Sequence, residues 1–182
     1  LRMLIAPGGS LGGARPKASV RDERGRLWIA KFPSRLDEED VGAWEHVVHL
    51  LAGRAGVVVS VAEVRRFGTR KSGGHGHHTF LTRRFDRTDD GQRLHFASAM
   101  TLLDRTDGTG AHDGASYLEL ADLLMRLGSH PVADLEQLWR RIVFSICVSN
   151  TDDHLRNHGF MLGSTGWALS PAYDLNPDPH GA

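Results

Sequence analysis

The sequence predicts an α+β fold. Strand-like runs fill the first half, helical periodicity fills the second, and the two meet in a polar stretch near residues 86–92. A length of 182 residues fits one domain, or two lobes of roughly 90 residues each. The opening, APGGSLGGARPKAS, is glycine-rich and reads as a loop. Ala18 to Arg21 and Arg26 to Phe32 read as short strands joined by the turn Asp22-Glu23-Arg24-Gly25, and Pro33 ends the second. From Asp37 to Ala55, Val41, Trp44, Val48, Leu51 and Ala55 recur at three- and four-residue steps. That spacing predicts a helix with those residues along one face, stopped by Gly56. VVVSVAEVRRF reads as a β-branched strand, KSGGHGHH as a turn or loop, and TFLTRRFD as a further strand.

After Asp86, TDDGQ and residues 108–114 read as loops. Ser116 to Leu127 and Asp134 to Val148 read as helices, the second with Leu135, Leu138, Ile142 and Ile146 on one side. SNTDDHLRNHGFML follows and leads into the hairpin HGFML-GSTG-WALS, then Pro171-Ala172-Tyr173-Asp174.

Composition excludes several classes. Apolar residues at 40% and charged residues at 24% are globular values and exclude wholesale disorder. Lys plus Arg total 22 and Asp plus Glu total 22, so there is no footprint for broad nucleic-acid or membrane binding. The single cysteine, Cys147, excludes an internal disulfide and fits a reducing, cytoplasmic setting. Inside the apolar run IVFSICV it reads as a buried small hydrophobe. No apolar run approaches the roughly 18 residues of a membrane helix. LRMLIAPGGS is too short and too weakly patterned for a signal peptide. The start at Leu1 and the turn-like end NPDPHGA read as a piece of a longer protein.

Four features stand in a telling order: a glycine loop with Gly8, Gly9, Gly12 and Gly13; Lys31 in LWIAKF; Asp152 with Asn157 five residues on; and Asp174 after a hairpin. Phosphoryl transfer from ATP needs such parts: a backbone cradle for phosphates, a lysine on a rigid strand, a base for the hydroxyl and hard oxygen ligands for Mg²⁺. Each part alone has a plainer explanation. The glycine loop matches neither GxGxxG nor GxxxxGK[ST] and reads equally as a flexible terminus. Lys31 alone is a solvated edge residue, Asp152 and Asp153 are helix caps or turn residues, Asn157 a left-handed turn and Asp174 an Asx turn before Pro177. His75, His77 and His78 crowd one loop, where they bind a transition metal adventitiously, cap a nucleotide or meet a partner.

SLGGARPKA (10–18), WIAKFP (28–33), RRFDR (83–87), NTDDHLRNHGF (150–160) and LSPAYDLNP (169–177) together resemble the HipA family of bacterial serine/threonine kinases, the toxins of HipBA-type toxin–antitoxin systems. NTDDHLRNHGF followed by SPAYDL is the specific part. The resemblance implies a protein-kinase-like bilobal fold, truncated, with residues 1–86 as the β-rich N-lobe part and 87–182 as a partial helical C-lobe. It implies Lys31 as the ATP-phosphate lysine and Asp152 as the catalytic base. Gly12, Gly13, Ala14 and Lys17 would hold phosphates, and Asn157 and Asp174 would hold Mg²⁺ and phosphate. Phe85 falls at the adenine hinge and Asp86 at a ribose contact. Arg83 replaces a frequent hinge glutamate, leaving its backbone for the adenine edge. Glu45 would pair with Lys31. Ser10 falls on a loop serine that is autophosphorylated in the family, where added charge would compete with ATP phosphates. Asp153 stands where glycine is common and adds a carboxylate beside the base, and His154 orients the loop.

The family's chain is longer on both sides, so this stretch is expected to expose apolar surface that the whole protein covers. By resemblance the cofactors are ATP and Mg²⁺ and the role is growth arrest. The implied partners are a protein substrate such as an aminoacyl-tRNA synthetase and a HipB-like DNA-binding antitoxin. Two other classes stay open on the residues: a catalytically weak module that binds the antitoxin, and a small-molecule phosphotransferase. A metal hydrolase using Asp152, His154 and His158 has no recognisable spacing.

Overall fold

The computed structural model describes residues 15–67, 76–108 and 111–178. Ser10, Gly12, Gly13 and Ala14 lie outside the described residues, as does His75. Strands β1 (Lys17–Arg21) and β2 (Leu27–Lys31) form the first hairpin. Asp22 closes it. Its carboxylate accepts the Arg24 and Arg26 N–H groups at 2.9 Å, Arg26 Nε at 2.8 Å and Trp28 Nε1 at 3.1 Å. Gly25 supplies the left-handed turn, φ 80°, that a side chain would resist.

Helix α1 (Val41–Arg54) follows, with Asp40 as N-cap accepting the Ala43 N–H at 3.1 Å. Its buried residues are Gly42, Glu45, Val48, His49 and Ala52. The expected apolar stripe is therefore rotated: Trp44 is 53% exposed and Leu51 45%. The inward face carries Glu45 and His49 beside Val48 and Ala52, off the line of the apolar stripe. Gly42 is required, because a Cβ there would sit 2.2 Å from the His78 carbonyl oxygen.

Strands β3 (Ala62–Arg65) and β4 (Thr79–Arg83) complete an antiparallel sheet of order β1-β2-β4-β3. The β-branched run enters strand pairing only at Ala62. Val57 turns into the core instead, and Val59 bridges Ala172. One face of this sheet buries Val20, Trp28, Ala30 and Leu81.

The second half holds β5 (Phe96–Ser98), α2 (Ala99–Leu102), α3 (Tyr117–Leu127), α4 (Pro131–Cys147), β6 (Gly159–Leu162) and β7 (Trp167–Leu169). Strands β5, β6 and β7 form a three-stranded antiparallel sheet with β6 central. Helix α4 starts at Pro131, ahead of the expected Asp134, because proline suits the first turn. Ala99, Leu120, Leu123, Leu124, Leu138 and Phe160 join α2, α3, α4 and β6 in one core. Each large side chain there stabilises by about 1.5–3 kcal/mol.

A further cluster ties the halves together: Val48, Ala52 and Val57 meet Phe144, Ala172 and Leu175. Cys147 corrects its sequence reading, since it is exposed at the end of α4. The outer side of α4 is apolar, with Val132, Trp139 and Ile146 exposed. Among the described residues no helix is long and apolar enough to cross a membrane.

Candidate active site

Lys31 sits on an interior strand. Its backbone is paired with Lys17 on one side and Phe80 on the other, so its Cα has little freedom. The side chain runs under α1 and is buried. Its Nζ donates to Glu45 Oε1 and Asp174 Oδ1 and lies 5.7 Å from the Phe80 ring centre. Burial pulls the Lys31 ammonium down, but the two carboxylates outweigh it and hold the pKa above its ordinary value. Burial pushes Glu45 up, and Lys31 only partly reverses this. Burial also pushes Asp174 up, yet Lys31, Lys17 and His154 hold it below the usual carboxylate range.

Asp174 reaches Lys31 from far along the chain because Ala172 and Leu175 on either side of it are buried in the core shared with α1. Its backbone is left-handed, φ 53°, a region that aspartate tolerates better than most residues. Helix α4 helps to place the segment: buried Arg141 donates Nη2 to the Ser170 carbonyl. Burial pulls that guanidinium down to about 10. Lys17 stands directly across the ladder from Lys31. Two like charges at such a pair repel, so the site asks for anions, and Asp174 supplies one.

The second half of the site is the loop after α4. Ser149 turns the chain with φ 53°. Asn157, in a 3-10 turn over Leu155–Asn157, donates Nδ2 to the Asp152 carbonyl at 2.9 Å. This closes the Asp152–Asn157 loop and leaves the amide oxygen available to a cation. The Asp152 side chain is 82% exposed, and its Oδ1 lies 3.8 Å from His154 Nε2. His154 also contributes, least of the named charges, to holding the Asp174 carboxyl down. A hollow lined by Met100, Thr106, His154 and Arg156 opens beside the loop.

Phe85, Asp86 and Arg83, the residues that the resemblance assigns to the adenine and ribose, are all engaged within the protein. Phe85 packs on Phe96 and on Tyr173, both at 5.7 Å between ring centres. Asp86 is not idle: it accepts Arg84 Nε at 2.8 Å, Arg84 Nη2 at 2.6 Å and Arg87 Nη1 at 2.6 Å. A ribose hydroxyl would have to share that carboxylate with two guanidinium groups. The Arg83 N–H donates to the Val61 carbonyl at 2.8 Å, so it is committed within the protein and is not offered to an adenine edge. His78 docks on the α1 N-cap, Nδ1 to Asp40 Oδ2 at 2.6 Å. Among the described residues no three His, Cys, Asp or Glu side chains cluster to hold a metal ion.

Sequence reasoning undervalued Asp153 and missed its partners. Tyr117 Oη donates to Asp153 Oδ2 at 2.8 Å, and His158 Nε2 lies 3.0 Å from Asp153 Oδ1. Burial pushes Asp153 up, but His158 and Tyr117 hold it below the ordinary value. Tyr117 lies 36 residues away, and no local pattern announces such a contact.

The family model described as HipA-like C-terminal domain matches residues 9–181. A Haemophilus influenzae protein named "Putative kinase" is 28% identical over 107 residues, which is 56% of this chain and 31% of that protein. The chain thus spans about a third of that curated relative. The Shewanella oneidensis MR-1 toxin–antitoxin complex of HipA, HipB and operator DNA is similar in structure. Its TM-score is 0.73 at 22% identity, over 93% of this chain and 44% of that one. Helicobacter pylori proinflammatory kinase CtkA has a TM-score of 0.66 at 19% identity, over 96% of this chain and 57% of that one. These likenesses give the chain a kinase-like mixed fold.

Proposed function

Because the chain belongs to the HipA-like C-terminal domain family, we propose that it is the core of a serine/threonine protein kinase using ATP and Mg²⁺. The observation that carries this reading is the buried Lys31–Glu45–Asp174 cluster, built from residues up to 143 positions apart. A buried lysine between two carboxylates is costly to assemble for stability alone. It is suited to hold phosphate oxygens and a cation in a fixed place. Residues 1–86 form the nucleotide-facing part in this reading, and 87–182 supply the catalytic loop.

Lys31 and Lys17 attract phosphate oxygens from adjacent strands. Asn157 and Asp174 offer the hard oxygen ligands that suit Mg²⁺. When bound, that ion neutralises charge on the transferred phosphoryl group. Asp152, solvent-facing, accepts the proton of the acceptor hydroxyl. By the family resemblance Gly12, Gly13 and Ala14 would hold phosphates, and phosphorylation of Ser10 would oppose this. The cellular reading is a growth-arresting toxin of the cytosol. A HipB-like antitoxin is its partner, as in the Shewanella complex, and a protein such as an aminoacyl-tRNA synthetase is its target.

The test is thermal stabilisation of the full-length protein by ATP. The melting temperature should rise with ATP only when Mg²⁺ is present, and the rise should vanish in Asp174→Asn. Stabilisation that ignores Mg²⁺, or that survives in Asp174→Asn, would remove Asp174 from the site. No stabilisation at all would favour the module that binds an antitoxin without nucleotide.

A further inference from the structure

Two adjacent carboxylates on the loop have opposite surroundings. The Asp152 side chain is 82% exposed and the Asp153 side chain is 10% exposed. The stretch from Thr151 to His154 belongs to no helix or strand, and a single peptide joins the two residues, so whatever holds the buried side chain also holds the backbone from which the exposed one projects.

Asp153 is held by one hydrogen bond, from Tyr117, and by a close contact with His158 that lacks hydrogen-bond geometry. One oxygen takes the Tyr117 hydroxyl at 2.8 Å and the other faces His158 Nε2 at 3.0 Å. The Tyr117 ring meets the His158 ring edge-on, with centres 5.7 Å apart, which closes a triangle. Tyr117 opens α3, where the Ser116 N–H donates to Glu119 Oε2 at 3.3 Å and the Glu119 N–H to the Ser116 carbonyl at 3.2 Å. The anchor is thus a well-determined helix start whose next turns, Leu120, Leu123 and Leu124, are buried in the core.

We propose that Asp153 is the positioning residue for Asp152: held inside by Tyr117 and His158, it turns the preceding carboxylate outward toward the acceptor. This rests on the kinase reading of Asp152. Asp153 touches no reacting atom. It sets the direction of the group that does, and small misplacements of such a group cost much of its effect.

The test uses the full-length protein with Tyr117→Phe, Asp153→Asn and the double variant. Tyr117→Phe removes one hydroxyl and keeps the ring against His158, so the fold is retained. With ATP and casein as the acceptor probe, kcat should fall about tenfold to a hundredfold in each single variant, with KM for ATP unchanged. The double variant should match the worse single variant within about twofold, since both changes cut one contact. Amide hydrogen exchange should accelerate across residues 151–158 and stay unchanged in β1 and β2. Unchanged kcat, unchanged loop exchange, or an effect confined to KM would each overturn the proposal. A wild-type protein that phosphorylates nothing would defeat the kinase reading instead, and the exchange measurement would still decide whether Asp153 anchors the loop.

Discussion

Around Lys31 the charges are answered inside the protein. Glu45 and Asp174 both contact its ammonium, and the Lys31 and Glu45 side chains are nearly out of solvent. Around Asp152 the reverse holds. Its carboxylate stands in water, with the nearest ionisable contact at 3.8 Å, while its neighbour Asp153 takes the buried place. The difference follows from what each charge costs. A buried ion needs a partner in the fold, so changing it disturbs stability first. An exposed carboxylate is held by its loop, so changing it leaves the fold alone and touches only chemistry.

The largest expected effect is therefore at Lys31. Lys31→Met leaves Glu45 and Asp174 without their cation and should destabilise by about 3–5 kcal/mol, measured by urea unfolding. A loss below about 1 kcal/mol would mean that the cluster is solvated and that the contrast fails.

A smaller effect concerns acid. The folded pKa of Asp174 is depressed below its ordinary 3.8 by Lys31, Lys17 and His154 against the opposing pull of burial. A depressed acid stabilises the fold above its unfolded value and loses that contribution as pH falls through the folded value. Lys31, raised above 10.5, behaves oppositely: its contribution is complete below that value and is lost as pH rises through the folded one. The pair thus gives a plateau between these limits. Unfolding midpoints of Asp174→Asn should fall less steeply below pH 3.8 than those of the wild type. Parallel curves would show that Asp174 is not stabilised by its neighbours.

Much of this contrast was legible in the sequence, and the exceptions are physical. The first hairpin was readable because Asp22 and Gly25 announce a turn. The family motifs assign Lys31 and Asp174 to one nucleotide site, but the direct contact between them is not readable, since no local rule joins residues 143 apart. The apolar stripe does not mark the buried face of α1 because the site occupies it: Glu45, which the resemblance pairs with Lys31, and His49 are polar yet inward. Cys147 was misjudged because an apolar run does not reveal that α4 leaves Ile146 and its neighbour outside. The resemblance assigns Asp86 to a ribose, but nothing local announces the two arginines that engage its carboxylate. From sequence Asp153 reads as an added carboxylate beside Asp152, and nothing local announces its contacts with Tyr117 and His158.

The most direct measurement is phosphoryl transfer from labelled ATP by the full-length protein and its Asp152→Asn variant, read beside their unfolding curves. Transfer should fall roughly 10²- to 10⁴-fold in the variant, the usual worth of a general base. Stability should stay within about 0.5 kcal/mol, as for an exposed residue. Equal transfer by the two proteins would contradict the account, as would a variant that loses activity only because it unfolds.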